Sequence, residues 1–351
     1  MRVLGLDEID ALLTMPNCIR VLEQAYRDLG RGQAANIPRQ DMITKLSGSR
    51  VHGFKTMSGS LPREQVVALR INSDIIHWPE VNGQLRREKI PAAPGGNWVG
   101  LILLFSTENG ELLAIMPDGV IQRMRVAATG GLGIKYLAKE NAAVMALLGS
   151  GWQAGSAAMA ACAVRGLREI RVFSPNPENR ARFAAEMTAK LGVEVIPAAS
   201  AQQACKGADI VSCATNALGA VFQAQWLEPG MHFVCVRHHE IDPEVYRRAD
   251  RVIIHTKRGT PEHYIIDDDG RYPELKEGYD TLDLSSYPEL PELIAGKVAG
   301  RGSDAEVTIF SNNLGLGLQF AAVGKHVLDL AERQGKGREL PASLFVQNVH
   351  P

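Results

Sequence analysis

Between residues 142 and 256 the apolar positions come in short runs separated by segments of helical spacing. AAVMALLG (142–149) precedes an alanine-rich stretch from Trp152 to about Arg165, and EIRVFS (169–174) follows as a strand rich in β-branched and aromatic residues. A helix from Glu178 to Leu191, the strand VEVIPA, a short helix AQQACKGA and the strand DIVSCAT (209–215) repeat the pattern. Beyond the loop NALGAVFQAQWLEPG lie the strands MHFVCV (231–236) and DRVIIHT (250–256), linked by DPEVYRRA. Six strands alternating with helices predict an α/β fold built on a doubly wound parallel sheet.

The first 140 residues carry a different pattern. A helix is predicted from Leu6 to about Gly30, then irregular sequence, then a strand over VVALRINSDII (66–76). GLILLFSTENGELLAIM (100–116) reads as an antiparallel hairpin turning at Glu108, Asn109 and Gly110. HWPEVNGQLRREKIPAAPGGNW (77–98) holds three prolines and three glycines and reads as an exposed excursion able to cover a site. A helix over VIQRMRVAATGGLGIKYLAK leads into the doubly wound unit, and LGLGLQFAAVGKHVLDLAERQG, after Phe310, forms another that packs back on the first unit. The expected organisation is an α+β domain of residues 1–125 plus 310–351, interrupted by a Rossmann domain at 126–309.

Charge narrows the partners. The 38 Lys and Arg against 39 Asp and Glu leave a formal charge of -1, so no global positive field draws the chain to nucleic acid or an anionic membrane. Asp7, Glu8 and Asp10 interrupt the N-terminal apolar residues where a signal peptide needs a continuous run, and no apolar run of about 18 residues occurs. The five cysteines show no CxxC spacing, so neither a disulfide framework nor a metal site is expected, and a cytoplasmic location fits.

The chemistry begins at GSGWQA (149–154), a GxGxxA between a predicted strand and helix. Gly149 permits a tight turn, Gly151 lets the backbone approach a pyrophosphate and Ala154 permits close helix–sheet packing, with Ser150, Trp152 and Gln153 completing the helix N-terminus that faces the anion. At the end of the second strand, where many NAD sites carry a carboxylate for the ribose 2′-hydroxyl, the chain has Ser174 and Asn176, with Arg180 following. This favours NADP over NAD. In RMRVAATGG, Arg123 and Arg125 cannot face the same way on a helix, so one of them is free to hold a ligand carboxylate or to make a surface ion pair.

DGVIQRMRVAATGGLGIKYLA, GSGWQA, ADIVSCAT and WLEPGMHFVCV, in this succession, resemble the ornithine cyclodeaminase/μ-crystallin family from about Pro38 to Gly337. The resemblance implies a Rossmann domain inserted into a substrate and dimerisation domain, a homodimer, and NAD(P)-dependent chemistry on α-amino or α-imino acids. It places Arg125 at the family's carboxylate-holding arginine and Arg39 at the assisting one, with Met57 beside them. Thr215, Asn216, Val236 and Asn312 fall on the cofactor side. Two departures stand out. The family's substrate-domain lysine is Arg70 here, and the loop after the fifth strand is shortened to VRHHEID, without the family's catalytic aspartate. His238 and His239 occupy that loop and, with Lys55 in HGFKTMSG, are candidates for proton transfer. His77 and Trp78 could line the entrance.

The expected activity is a ketimine or imine reductase, or amino-acid dehydrogenase, moving hydride between nicotinamide and the substrate α-carbon. The alternatives are a cyclodeaminase of ornithine-like diamino acids and a crystallin-like protein that binds NADP without turnover.

Overall fold

The computed structural model describes the chain except residues 49, 82–83, 86–87, 94, 218, 258–261, 267–281 and 350–351. Strand β1 (Arg2–Val3) leads to helices α1 (Leu6–Leu12) and α2 (Met15–Gly30). The single helix expected over Leu6–Gly30 is therefore two. Leu13 and Thr14 are extended and Pro16 opens α2, where a residue without an N–H is tolerated only in the first turn. Along α2 the buried Cys18, Ile19, Leu22, Ala25 and Tyr26 recur at helical spacing and turn one stripe to the core.

The segment expected to be irregular forms two long antiparallel strands, β2 (Ala35–Lys45) and β3 (Arg50–Leu61), followed by β4 (Val66–His77). Their inward face carries Asp41, Gly53, Lys55 and Gly59 among its buried positions. The period of two is present in burial but not in hydrophobicity, so an apolar pattern could not reveal it. Within the excursion, β5 (Glu80–Val81) pairs with β6 (Gln84–Leu85), and β7 (Glu88–Ile90) pairs with the end of β4. The expected hairpin is β8 (Val99–Ser106) and β9 (Leu112–Pro117).

Helix α3 (Gly119–Leu137) is buried on nearly every side because other helices and the strands of the second sheet pack around it. It leads to β10 (Val144–Leu148), α4 (Trp152–Val164), β11 (Glu169–Phe173), α5 (Pro177–Leu191), β12 (Glu194–Pro197), α6 (Ala201–Cys205), β13 (Ile210–Cys213), β14 (His232–Cys235), α7 (Pro243–Arg248) and β15 (Arg251–Ile254). The chain then crosses to the first sheet as β16 (Glu262–Ile266), parallel to β2, and returns through α8 (Leu290–Ile294) to β17 (Thr308–Ser311). Helix α9 (Gly317–Arg333) and β18 (Arg338–Glu339) complete it.

The second sheet is all parallel, in the order β12-β11-β10-β13-β14-β17-β15, so the six expected strands are joined by a seventh between β14 and β15. This seventh strand is four fully buried residues, too short for periodicity to separate from a helix. The first sheet runs β16-β2-β3-β4-β8-β9-β1-β18, with α9 laid on β3 and β4. At the crossing a Cβ on Gly59 would lie 2.2 Å from Leu318 N, so only glycine allows the helix this close. That approach carries Gln319 and Phe320 onto the inward face of the sheet.

Among the described residues no helix is long and apolar enough to cross a membrane, no group of three His, Cys, Asp or Glu is placed to hold a metal, and the five cysteines are free.

Candidate active site

Strand β10 is followed by Gly149, whose φ of 118° is a conformation L side chains rarely adopt. A Cβ there would stand 2.3 Å from the Ala214 carbonyl oxygen. Gly151 then caps α4 with no side-chain hydrogen bond, and a Cβ on it would meet open space. The first-turn N–H groups of α4 thus face a cavity of about 720 Å³ at the carboxyl ends of the strands. Ser150, Trp152 and Gln153 line one side, Thr215, Asn216 and Val236 the other, and Ala154 is packed beneath in the core. The bare cradle and the uncapped helix N-terminus fit a dinucleotide pyrophosphate.

At the end of β11, Ser174 lines the cavity and accepts a hydrogen bond from Ser150 Oγ at 2.8 Å. Asn176 is engaged locally, its Oδ1 accepting from Asn179 N to cap α5. Arg180 folds back over the Phe173 ring and donates to the Ser174 carbonyl at 2.5 Å. The side chains that reach this end of the cavity are instead Asn179 and Arg182, which sequence reasoning missed. The signal available was their position in the first two turns of α5.

The opposite wall rests on Glu240, a third residue the sequence did not single out. Its fully buried carboxylate accepts from Thr215 N (2.7 Å), Thr215 Oγ1 (2.8 Å) and Arg237 N (3.1 Å), tying the turn after β14 to the loop after β13. His238 is buried in that turn, and His239 Nε2 lies 3.3 Å from the Ala217 carbonyl oxygen. Both histidines thus stand beside the loop after β13, and neither lines the cavity. Asn312 donates to the Val126 carbonyl at 3.0 Å and, with Val236 and Gln153, lines a narrow recess that runs from the cavity to α3.

Arg125 precedes Val126 on α3. This guanidinium is buried and donates to two neutral amides, Gln319 Oε1 at 2.8 Å and Gln122 Oε1 at 2.7 Å. Its carbon lies 5.1 Å from the centre of the Phe320 ring, and that of Arg70 lies 5.6 Å from the same ring. Arg70 is neutralised by Asp118, whose Oδ2 it reaches at 2.6 and 2.7 Å. Burial first, and then the positive charge of Arg70, push the Arg125 pKa down to about 9. Arg123, two residues earlier, turns away to Asp10 and lies over the Trp152 ring.

Around this pair the inward face of the sheet continues the charge. Met57 sits opposite Arg70 across β3 and β4, and Lys55 opposite Asn72. Lys55 is buried 3.6 Å from Asp74, and Arg39 makes a two-point ion pair with Asp41. His263 of β16 lies 3.9 Å from the same Asp41, while His77 lies 3.4 Å from Glu88 and Trp78 packs with Ile43, Val51 and Ile76.

Fold and cavity first define a class: an α/β protein with a dinucleotide-type cleft at the carboxyl ends of a parallel sheet, beside a second sheet whose inward face carries buried charged side chains. Within that class the chain belongs to the ornithine cyclodeaminase/mu-crystallin family, whose model matches residues 2–335. A Delta(1)-pyrroline-2-carboxylate reductase of Bacillus cereus is 28% identical over 246 residues, 69% of this chain and 74% of that protein. The iminosuccinate reductase of Paracoccus denitrificans is 27% identical over 351 residues, 97% of this chain and 99% of that protein. The solved structure of Thermococcus litoralis Delta(1)-pyrroline-2-carboxylate reductase with NADH and L-proline superposes with a TM-score of 0.79 at 27% identity, covering 97% of this chain and 100% of that one.

Proposed function

We propose that the protein is an NAD(P)-dependent oxidoreductase that interconverts the C=N and C–NH bonds of a small α-imino or α-amino acid, as its reductase relatives are named for doing. One observation carries this reading: the buried Arg125 guanidinium hydrogen-bonds two neutral amides, so its charge stands ready for a ligand carboxylate. Arg39 and Arg70, each paired with a carboxylate, flank it and leave Arg125 as the cation offered to the ligand, while Met57 and Phe320 provide apolar walls. Gly149, Gly151 and the α4 N-terminus would hold the pyrophosphate, and Thr215, Asn216, Val236 and Asn312 the nicotinamide half. The bound nicotinamide supplies or accepts hydride at the substrate α-carbon. Fixing the carboxylate on Arg125 orients that carbon toward the recess. The proton that accompanies reduction is assigned to Lys55 Nζ, which shares the inward face with Arg70, whereas His238 and His239 stand beside the loop after β13.

The test is an assay of NADPH and NADH oxidation with cyclic ketimines, including Δ1-pyrroline-2-carboxylate, and with α-keto acids plus ammonia or methylamine. Loss of nicotinamide absorbance with at least one is the expected result. Protein that binds the cofactor yet oxidises it with none would overturn the reading.

Within it, NADP is the assigned cofactor. The end of β11 offers no carboxylate to repel a 2′-phosphate, and Arg182 lines that end of the cavity. Because Arg182 is solvent-exposed, Arg182→Ala should raise the KM for NADPH only about five-fold, leaving that for NADH nearly unchanged. Equal effects on both would assign NAD instead.

A homodimer belongs to the same proposal. Met42, Leu101, Tyr264 and Ile266 are exposed on the outward face of the first sheet, where Tyr264, Met42 and Phe54 stand in one cross-strand row. Such a face fits a second copy of the chain. A mass in solution of twice 38.1 kDa, reduced to the monomer by Met42→Asp with Leu101→Asp, is the expected outcome. A wild-type monomer would rule it out.

A further inference from the structure

Arg125 is held by a hydrogen-bonded chain that continues well beyond its own contacts. Gln319 Oε1 accepts from Arg125 NH1 and from Leu316 N, both at 2.8 Å, which fixes the orientation of the amide. Its Nε2 donates to Thr129 Oγ1 at 2.7 Å. Thr129 Oγ1 lies 2.9 Å from Tyr26 OH, and Tyr26 OH lies 2.7 Å from His255 Nε2. The four side chains come from α9, α3, α2 and the residue after β15, and none exposes any surface. They therefore join the first sheet's helices to the edge of the nucleotide-type sheet, immediately before the chain crosses to β16.

The chemistry of each member is informative. A glutamate at 319 would pair with Arg125 and use up its charge; the amide orients the guanidinium and leaves that charge free. Burial holds His255 neutral, its pKa pushed down to about 3, so the far end of the chain adds no competing charge. Thr129 gives its own proton to the Arg125 carbonyl at 2.8 Å, so its oxygen accepts from both Gln319 Nε2 and Tyr26 OH, and Tyr26 in turn accepts from the neutral ring of His255. The bonds converge on Thr129, which holds the Gln319 amide with its nitrogen toward Thr129 and its oxygen toward Arg125.

We infer that Gln319, Thr129, Tyr26 and His255 are positioning residues that keep Arg125 oriented and free of any carboxylate, so that it can receive the substrate's. This rests on the reading of Arg125 as the carboxylate anchor. The decisive variant is Gln319→Glu, nearly isosteric with the native side chain. Its expected effect is a rise of about a hundred-fold in the KM for the imino acid, with kcat within about three-fold and NADPH affinity, followed by cofactor fluorescence, unchanged. Gln319→Leu should raise KM about ten-fold, and Tyr26→Phe, which removes one hydroxyl, about three-fold. A purely structural role reverses the order, because glutamate preserves shape and the bond to Arg125 whereas leucine does not. Gln319→Leu more damaging than Gln319→Glu, or Tyr26→Phe indistinguishable from wild type, overturns the inference. If Arg125→Met itself leaves KM unchanged, the functional reading fails instead.

Discussion

Arg125→Met should lower kcat/KM for the imino acid about a thousand-fold while leaving NADPH affinity within a factor of about two. Truncating one partner of a buried, hydrogen-bonded charge pair costs roughly 2–5 kcal/mol, and the substrate carboxylate would lose its principal cation in a site that excludes water. Arg70 cannot substitute, since both of its contacts go to Asp118. The stability of the ligand-free protein should move the other way. A base whose folded pKa is lowered to about 9 disfavours the fold wherever it is charged in both states, that is, below pH 9, and the penalty fades as pH rises toward the unfolded value. Methionine removes that penalty, so the melting temperature without ligand should not fall, and stabilisation by the product amino acid should vanish. A variant that loses activity and also melts earlier would instead assign Arg125 a structural role. Arg125→Lys should recover only part of the rate, because one ammonium cannot bond Gln319, Gln122 and a carboxylate in the geometry the planar fork provides.

The two halves of the molecule were unequally legible for a physical reason. In the nucleotide-type sheet the strands are buried on both faces, so β10, β13 and β14 read directly as apolar runs bounded by turns, and Gly149 announces itself by its place between strand and helix. In the other sheet the inward face of β2 to β4 is where polar and charged side chains are concentrated: Asp41, Lys55, Arg70, Asn72 and Asp74 occupy positions that valine or isoleucine would fill in an ordinary core. The strands most important to the pocket thus hid their own periodicity, and 35–61 looked irregular. The same polarity made Arg70 visible as a residue but not its partner, since Asp118 lies 48 positions away. Glu240, Gln319 and Arg182 escaped for a related reason. Each acquires its role from segments brought together only by folding: the loops after β13 and β14, the close crossing of α9 over Gly59, and the exposed turns of α5 at the cavity mouth. Asn176 and Arg180 show the converse, as residues of suitable chemistry at the expected place whose side chains are engaged in capping α5 and in closing on Ser174.

Two glycines, two residues apart, should fail in different ways. Gly149→Ala places a methyl group 2.3 Å from the Ala214 carbonyl oxygen on a backbone with φ of 118°, so both local strain and a backbone clash must be relieved. Relief requires the loop after β13 to retreat by about 1 Å, and that loop carries Thr215 and its bonds to Glu240. The expected outcome is a lower melting temperature together with NADPH binding weakened by more than about a hundred-fold. Gly151→Ala keeps an extended conformation at φ of -92° and meets nothing in the protein, so the fold should melt as the wild type does. Its methyl group would occupy the space a pyrophosphate needs, and binding should fall just as far. Cofactor titration beside thermal melts separates the cases. A Gly151→Ala variant that binds NADPH normally would mean that the dinucleotide does not lie across this turn, and the reading of the cavity would fail with it.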